Sequence, residues 1–518
     1  MKVVDFRFCF MKSLYYRTMT AHSALRTARQ QPEFILSSEI EIKLDLSTEA
    51  VNALLSSGLL GKPDKVLNQK STYFDTVDRT LWRNGYTLRI RQVGAARTQT
   101  VKANGPSRSL FARFEWETPV EAEEPVLDHT SPLIGEFGCD LSLESVFDVT
   151  VERQLWNVEE NGSRIEVIID AGEAKSGDRS SSIREAELEL KDGDPSDLFV
   201  FARRIDAVAA FRFGVRSKAE RGFVLIEAQK PACKAESLHL DRDTTAIAAF
   251  QTIASSCLRH FRLNEDALLE KRKPEALHQA RVALRRLRSA FSLFKPIVSG
   301  DEPVRLNGEL RWLATVLGEA RNVDVLLSKA RDADLVSKLK AARQDTYEEA
   351  IEALNSTRAT ALMLDLREWL QCADHLANSG LVASEVPRAQ DFAAHVLEKK
   401  RKRLKKDGKA LSTIDDEHRH EVRKDAKKFR YAAEFFGSLF DDKRGARRHR
   451  KFLSAMETLQ DDLGALNDLA TAPHVLEKHG LAEHPARDSV VPHANKQILI
   501  EKAQASLDDV LDTRRFWQ

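Results

Sequence analysis

From residue 39 to about residue 227, apolar and polar positions alternate with a period of two. Strict alternation runs through EIEIKLDL (39–46), TLRIR (87–91), ARFEWETPV (112–120), RIEVIID (164–170) and EAELELK (185–191), and predicts a strand at each. Turn signals separate them, among them Arg83-Asn84-Gly85, Ala103-Asn104-Gly105-Pro106 and Asp192-Gly193-Asp194-Pro195. Two helices are predicted among the strands, near 47–57 and 195–211. From about residue 242 onward the apolar positions fall three and four apart, and the pattern is helical to the end. The chain therefore divides into a β-rich domain at 39–228, a linker at 229–239 and an all-α domain at 240–518. Residues 1–38 are basic and aromatic. They read as a disordered arm or an over-long start, with Met11 and Met19 as alternative starts.

The helical part repeats itself. His278-Gln279-Ala280-Arg281-Val282-Ala283-Leu284-Arg285-Arg286-Leu287-Arg288 lines up with His420-Glu421-Val422-Arg423-Lys424-Asp425-Ala426-Lys427-Lys428-Phe429-Arg430. Each histidine is followed at +3, +7 and +10 by a cation: Arg281, Arg285 and Arg288, then Arg423, Lys427 and Arg430. About forty residues on, Leu317-Gly318-Glu319-Ala320-Arg321-Asn322-Val323-Asp324 matches Leu463-Gly464-Ala465-Leu466-Asn467-Asp468. Two such units, at about 240–390 and 391–518, predict a pseudo-twofold helical bundle with its two His/Arg faces placed symmetrically.

Charge sharpens this picture. Across 518 residues, 80 Lys+Arg oppose 79 Asp+Glu, a net charge of +1, which excludes a uniformly basic nucleic-acid coat and a uniformly acidic tail. The total leaves room for charges sorted into patches. Five cysteines (Cys9, Cys139, Cys233, Cys257, Cys372) form no CxxC pair, which argues against a disulfide framework or structural zinc and for a reducing, cytoplasmic location. No apolar run is long enough to span a membrane.

The sorting begins in the strands. Glu39, Glu41 and Lys43 share one face by parity, as do Arg89 and Arg91, then Arg113, Glu115 and Glu117, then Glu185, Glu187, Glu189 and Lys191. Taken strand by strand, these faces fit solvated surfaces with cross-strand ion pairs. Taken together they fit better a sheet closed into an antiparallel barrel, its charged faces pointing inward. Carboxylates facing cations in a lumen are costly to desolvate unless a ligand satisfies both. An anionic phosphate compound bound with a hard divalent cation would do so.

These strands carry a resemblance. Glu39-Ile40-Glu41-Ile42-Lys43 matches the ExExK signature of the CYTH family, the triphosphate tunnel metalloenzymes. Agreement continues through Tyr73-Phe74-Asp75-Thr76, Leu88-Arg89-Ile90-Arg91, Val101-Lys102, Arg113-Phe114-Glu115, Glu152-Arg153, Ile168-Ile169-Asp170, Glu185-Ala186-Glu187-Leu188-Glu189 and Ser217-Lys218. The helical part resembles a CHAD domain, the conserved histidine α-helical domain, with Asn322 standing where an acidic residue is expected. The order of the two resembles bacterial inorganic triphosphatases.

The resemblance implies an α+β two-domain protein, a triphosphate tunnel followed by a helical bundle. It implies that Glu39, Glu41, Glu187 and Glu189 hold Mg2+ or Mn2+, with Asp170 and Glu185 as helpers. Lys43, Arg89, Arg91, Lys102, Arg113, Arg153 and Lys218 would grip the triphosphate. Glu115 and Glu117 would act either on the metal side or as partners of Arg89 and Arg91. Tripolyphosphate is the implied substrate, with thiamine triphosphate hydrolysis, adenylate cyclisation and a non-catalytic scaffold as alternatives.

On the helical side, the duplicated His/Arg face (His278, Arg281, Arg285, Arg288; His420, Arg423, Lys427, Arg430) forms a basic groove for inorganic polyphosphate, a ligand that would also bring the protein to polyphosphate granules. The basic helices lack the interleaved aromatics of a nucleic-acid stacking platform. The basic runs Lys399-Lys400-Arg401-Lys402-Arg403 and 443–451 are either solvated surface or an extension of that groove.

Overall fold

The computed structural model describes residues 40–104, 113–128, 131–138, 140–227, 230–372, 386–490 and 495–518. The basic arm, Glu39, Cys9 and Cys139 lie outside the described residues. Nine strands come first: β1 (Ile40–Leu46), β2 (Lys65–Asp75), β3 (Tyr86–Val93), β4 (Ala96–Asn104), β5 (Arg113–Pro119), β6 (Glu144–Glu160), β7 (Ser163–Ser176), β8 (Arg179–Asp192) and β9 (Phe211–Phe213). Among them lie helices α1 (Thr48–Ser56), α2 (Thr80–Arg83), α3 (Pro132–Phe137), α4 (Pro195–Asp206) and α5 (Lys218–Ile226). The helical half contains α6 (Ala246–Lys271), α7 (Pro274–Phe294), α8 (Asp301–Lys329), α9 (Ala333–Asn355), α10 (Thr357–Gln371), α11 (Ala389–Asp407), α12 (Asp416–Phe436), α13 (Lys443–Lys478) and α14 (Lys496–Asp512).

The strands form one antiparallel sheet in the order β5-β4-β3-β2-β6-β7-β8-β1-β9. Alternation sends Ile42, Leu44, Val167, Ile169, Ala186 and Leu188 to one face, where they are buried with Leu198, Phe199 and Phe201 of α4 and Leu54 of α1. Each of the larger of these side chains removed from water contributes about 1.5–3 kcal/mol. The opposite face of the same strands carries the charges.

The sheet does not close into the expected barrel. Its edges are β5 and the three-residue β9, and they do not pair. The reason lies at β9. Phe213 O accepts from Arg262 Nε (2.9 Å), Arg367 lies over the Phe213 ring (5.2 Å), and Arg212 donates to Asn355 Oδ1. The edge is covered by α6, α9 and α10 rather than by a strand, one of the ways a sheet edge is protected.

A second expectation also fails: the helical half shows no pseudo-twofold repeat. The two His/Arg segments form helices of equal length, α7 and α12, each of 21 residues. The helices beyond them are unequal: α8 has 29 residues and leads into α9 and α10, whereas α13 runs unbroken for 36 and leads into α14. Two similar helix faces need only local similarity. A symmetric bundle needs the connecting helices to match as well, and these do not.

The predicted linker is anchored. Cys233 N donates to Asn264 Oδ1 (2.9 Å), Cys233 O accepts from Asn264 Nδ2 (2.9 Å) and His260 Nε2 (3.0 Å), and Leu240 N donates to Ser438 Oγ (2.9 Å). Cys233, Cys257 and Cys372 form no disulfide among the described residues. One continuous apolar core runs from β1, β7 and β8 through α4 and β9 into α6, α7 and α12, and smaller separate clusters lie on the sheet and between α8, α9 and α13. No described helix is long and apolar enough to cross a membrane.

Candidate functional site

The open sheet curls around a cavity of about 330 Å³, to which every strand except β9 contributes a lining residue. Register sorts the charges into two limbs. On one limb stand Arg89 and Arg91 of β3, Lys102 of β4 and Glu115 of β5. On the other, Glu41, Glu189 and Glu166 sit opposite one another across β1, β8 and β7, forming one transverse row of carboxylates. Arg153 of β6, Lys43 of β1, Glu187 of β8 and Lys218 of α5 complete the lining between them.

Behind the row lies a second acidic group. Asp170, Glu185 and Glu187 are all buried, with one carboxylate oxygen of each within 4.8 Å of the others. Four cations meet it, Arg221 from 3.7 Å at Glu185 and three more closely. Lys218 Nζ lies 2.7 Å from Asp170 Oδ2 and 3.3 Å from Glu187 Oε1, and also contacts Glu185. Arg153 binds Asp170 in bidentate fashion (2.8 and 2.6 Å) and reaches Glu187 at 3.5 Å. Lys43 pairs with Glu187. Burial would raise the Glu187 and Asp170 pKa values. For Glu187 the charges of Lys43, Lys218 and Arg153, and for Asp170 a hydrogen bond from Arg153 with the charge of Lys218, hold them below the ordinary range. Burial alone would lower Lys218 and Lys43, yet both are raised, by Glu187 above all.

The carboxylate row is less well matched. Lys191 Nζ reaches Glu189 (2.7 Å) and Glu166 (3.0 Å) from the partly exposed side, and Lys43 stands 3.9 Å from Glu41. Hard oxygen donors crowded this way suit a divalent cation, and the buried Asp170–Glu185–Glu187 group offers ligand atoms at the right separation. Of the buried group, Glu187 also lines the cavity.

On the basic limb, Arg89 and Arg91 lack carboxylate partners among the described residues. Arg89 is buried, donates to Tyr73 Oη at 3.4 Å, and its Nε has no hydrogen-bond partner. Arg91 Nε is likewise unsatisfied, and among the described residues Arg91 forms no ion pair. Burial, then the charges of Arg89 and Arg153, push the Arg91 guanidinium down to about 10. Glu115 pairs with Lys102 (2.7 Å), and Glu117 accepts from Thr100 Oγ1 (3.0 Å). Neither expected carboxylate therefore neutralises Arg89 or Arg91 by direct contact.

The sequence expectation places Glu41, Lys43, Arg89, Arg91, Lys102, Glu115, Arg153, Glu187, Glu189 and Lys218 on this cavity, and the structure brings all ten together there. Asp170 and Glu185 sit behind it. Glu39 and the Arg113 side chain lie outside the described residues, although Arg113 is paired through its backbone with Asn104 at the sheet edge. Glu166 is the residue sequence reasoning missed. Its parity with Asp170 was visible; its alignment with Glu189 was not.

A second cavity, of about 460 Å³, lies in the helical half. His278, Arg281 and Arg285 of α7 face His420, Arg423 and Lys427 of α12, with Arg321, Asn322 and Lys329 of α8 and Asn467 and Asp468 of α13 completing the walls. The groups that face one another here are nearly all basic side chains. The Nε atoms of Arg281, Arg285 and Arg423 are buried without partners. Arg281 donates to Gly318 O (3.1 Å), His420 Nδ1 to Asn467 Oδ1 (3.2 Å), and Lys329 pairs with Asp468 (3.0 Å). Burial, reinforced by Arg423, Arg285 and Arg281, pushes Lys427 down to about 6. Burial with Arg321, Arg285, Arg281 and Lys427 pushes His278 to about 4.

Arg288 and Arg430, expected on this face, are not part of the cavity. Arg288 donates to Asn307 (3.4 Å), and Arg430 pairs with Glu434 (2.9 Å). Ten residues along a helix is about 15 Å, beyond a cavity that spans two turns. Neither basic run lines the cavity: Arg401 donates to Leu511 O, Arg403 pairs with Asp425 (2.7 Å) and Arg448 donates to Arg515 O (3.3 Å). Asp324 is buried against Arg343 and Tyr347 (2.8 Å each).

Comparison with known proteins agrees with the two halves. Residues 37–223 match the family description of the CYTH domain, and residues 252–477 that of the CHAD domain. An inorganic triphosphatase of Haemophilus influenzae is 34% identical over 203 residues, covering 37% of this chain and 56% of that protein. The chain thus spans little more than half the length of that relative. An uncharacterised Mycobacterium tuberculosis protein is 25% identical over 402 residues, covering 71% of this chain and 76% of the relative. Among solved structures, the CHAD domain of the plant Ricinus communis is 31% identical, with a TM-score of 0.45, covering 54% of this chain and 96% of that one. A Hippeastrum adenylyl cyclase-type protein, described as having a dominant triphosphatase activity, is 18% identical, with a TM-score of 0.26 over 36% of this chain and 95% of its own.

Proposed function

This chain joins a CYTH domain at 37–223 to a CHAD domain at 252–477, and on that premise we propose that its sheet half hydrolyses tripolyphosphate to pyrophosphate and orthophosphate with a divalent metal ion, while its helical half binds inorganic polyphosphate. One observation carries the reading. Buried Arg89 and half-buried Arg91 lack carboxylates of their own among the described residues and share one cavity with the row Glu41–Glu189–Glu166. A triphosphate supplies negative charge to Arg89 and Arg91, and a divalent cation adds positive charge to a row that Lys191 and Lys43 balance only in part. The similarity to an inorganic triphosphatase, at 34% identity over this half, supports the same chemistry.

In this reading Glu41, Glu187 and Glu189, with Glu39, hold Mg2+ or Mn2+, with Glu166 beside them and Asp170 and Glu185 behind. The ion, when bound, neutralises charge on the phosphate oxygens. Arg89, Arg91 and Lys102 grip terminal oxygens, the guanidiniums in the bidentate manner that suits phosphate. Arg153, fixed by Asp170, presents its remaining donors to the cavity. Lys43 and Lys218 stabilise charge that accumulates on the departing pyrophosphate. Phosphoryl transfer to water asks mainly for positioning and charge neutralisation, and these residues provide both.

Phosphate release measured with tripolyphosphate, ATP and thiamine triphosphate, each with Mg2+ and with Mn2+, tests the reading. Tripolyphosphate should be turned over fastest and only with metal; faster turnover of either organic triphosphate would replace the substrate assignment. Glu41→Gln and Glu189→Gln should each lower metal-dependent release by roughly two orders of magnitude. Unchanged turnover in both would remove the carboxylate row from the site.

The helical reading rests on unpaired, mutually repelling cations around a second cavity. CHAD domains are known for binding polyphosphate, and phosphate-only contacts predict strong salt dependence. In a competition gel with the full chain, long-chain polyphosphate should outcompete single-stranded nucleic acid at matched salt.

A further inference from the structure

Lys218 is the first residue of α5, and its ammonium sits among Asp170, Glu185 and Glu187. A lysine there is poorly served by its own helix, whose N-terminal dipole repels a cation. At nine residues α5 is also too short to be stable alone. The sheet holds its body, with Gly222 and Phe223 against Phe147 and Arg221 on Asp45, while its first turn is also gripped from the helical half.

Ser217 and Glu220 close a capping box at the start of α5. Glu220 Oε2 accepts from Ser217 N (2.7 Å), and Ser217 Oγ accepts from Glu220 N (3.2 Å). The other Glu220 oxygen, Oε1, accepts from Arg259 Nη2 on α6. The same guanidinium donates to Val215 O, two residues before the cap, and its Nε stands 3.5 Å from Glu236. One side chain of the helical half therefore grips both sides of the turn that delivers Lys218. Less than one turn further along α6, Arg262 holds Phe213 O, and between these anchors Gly214 N donates to Lys43 O (2.8 Å). The two lysines of the acidic group are both adjacent to backbone that α6 fixes.

We propose that Arg259 is a positioning residue for the sheet cavity: by clamping Val215 and Glu220 it fixes Lys218 among the carboxylates, so that the helical half sets the turnover of the other half. This proposal rests on the triphosphatase reading for its kinetic readout and on the Arg259 contacts for its structural one.

Two measurements on the full chain test it. Arg259→Ala should lower kcat for tripolyphosphate roughly 10- to 100-fold, as small misplacements of a charged group do, with a smaller change in KM. Arg259→Lys, which keeps one donor, should recover part of the loss. In a Lys218→Gln background, Arg259→Ala should cost nothing further, because its effect passes through Lys218. A full additive loss in the double variant would overturn the proposal. Independently of activity, amide hydrogen exchange in the first turn of α5 should quicken in Arg259→Ala while exchange in α12 does not change. Unchanged exchange at α5 would also overturn it. If the wild-type chain released no phosphate from any triphosphate, the triphosphatase reading would fall, and the exchange experiment alone would decide the clamp.

Discussion

Lys427 illustrates what a cavity lined by basic groups costs a folded protein. It is held among Arg423, Arg285 and Arg281, with Asp468 as the nearest relief, and its pKa falls to about 6. In the unfolded chain it stays near 10.5. Between those values the unfolded chain binds more protons, so this lysine makes stability rise with pH, and at neutral pH it is a burden on the fold. Lys427→Met should therefore raise stability, by roughly 1 kcal/mol, while weakening polyphosphate binding; thermal melts and a binding titration on the same samples read both. A bound polyanion returns Lys427 to its charged form. Binding should accordingly take up protons, and affinity should rise as pH falls from 8 to 6. Calorimetry in buffers of different ionisation enthalpy would detect that uptake. The +3 and +7 cations of each His segment were legible from helical spacing. The exclusion of Arg288 and Arg430 was not, because spacing fixes a face but not how far along the helix a cavity extends.

At the scale of elements, α5 is the instructive case. Its Ser217-Lys218-Ala219-Glu220 start is a capping-box signature. The alternation that reveals the strands nevertheless passes over so short a helix. Its packing is tight at one point: a Cβ added to Gly222 would stand 2.0 Å from Phe147 Cε2, within a ring stack that includes Tyr73 and Phe223. Gly222→Ala should cost about 1–3 kcal/mol in denaturant unfolding and lower turnover by displacing Lys218. Strands β2, β4, β6 and β9 lie outside the segments of strict alternation, β7 and β8 extend well beyond theirs, and β1, β3 and β5 are legible nearly to their ends. Openness is not, since whether two edges meet depends on contacts far apart in the chain, here those of Arg262 and Arg367 with Phe213. Similarly, the resemblance between α7 and α12 is plain in the residues, whereas the unequal helices beyond them decide the absence of symmetry.

For the whole molecule, the near-cancelled charge conceals two different arrangements. One cavity sets carboxylates against guanidiniums, and the other gathers cations with little to oppose them. The periodicity separates the two halves correctly but suggests a looser junction than the one present. Because one apolar core continues through α4 and β9 into α6, the chain should unfold in a single transition, with helical circular dichroism and tryptophan fluorescence changing together. Two separate transitions would show that the halves are energetically independent.

The clamp at Arg259 also has a consequence for the order in which the protein is made. Lys218 leaves the ribosome about forty residues ahead of Arg259, and N-terminal domains generally begin to fold first. The sheet can curl and collect its charges at that stage, but the turn carrying Lys218 is secured only when α6 has emerged and docked. If the proposed clamp holds, a nascent chain would reach its full turnover of triphosphate only once its helical half had begun to assemble, which makes full competence a late event in synthesis.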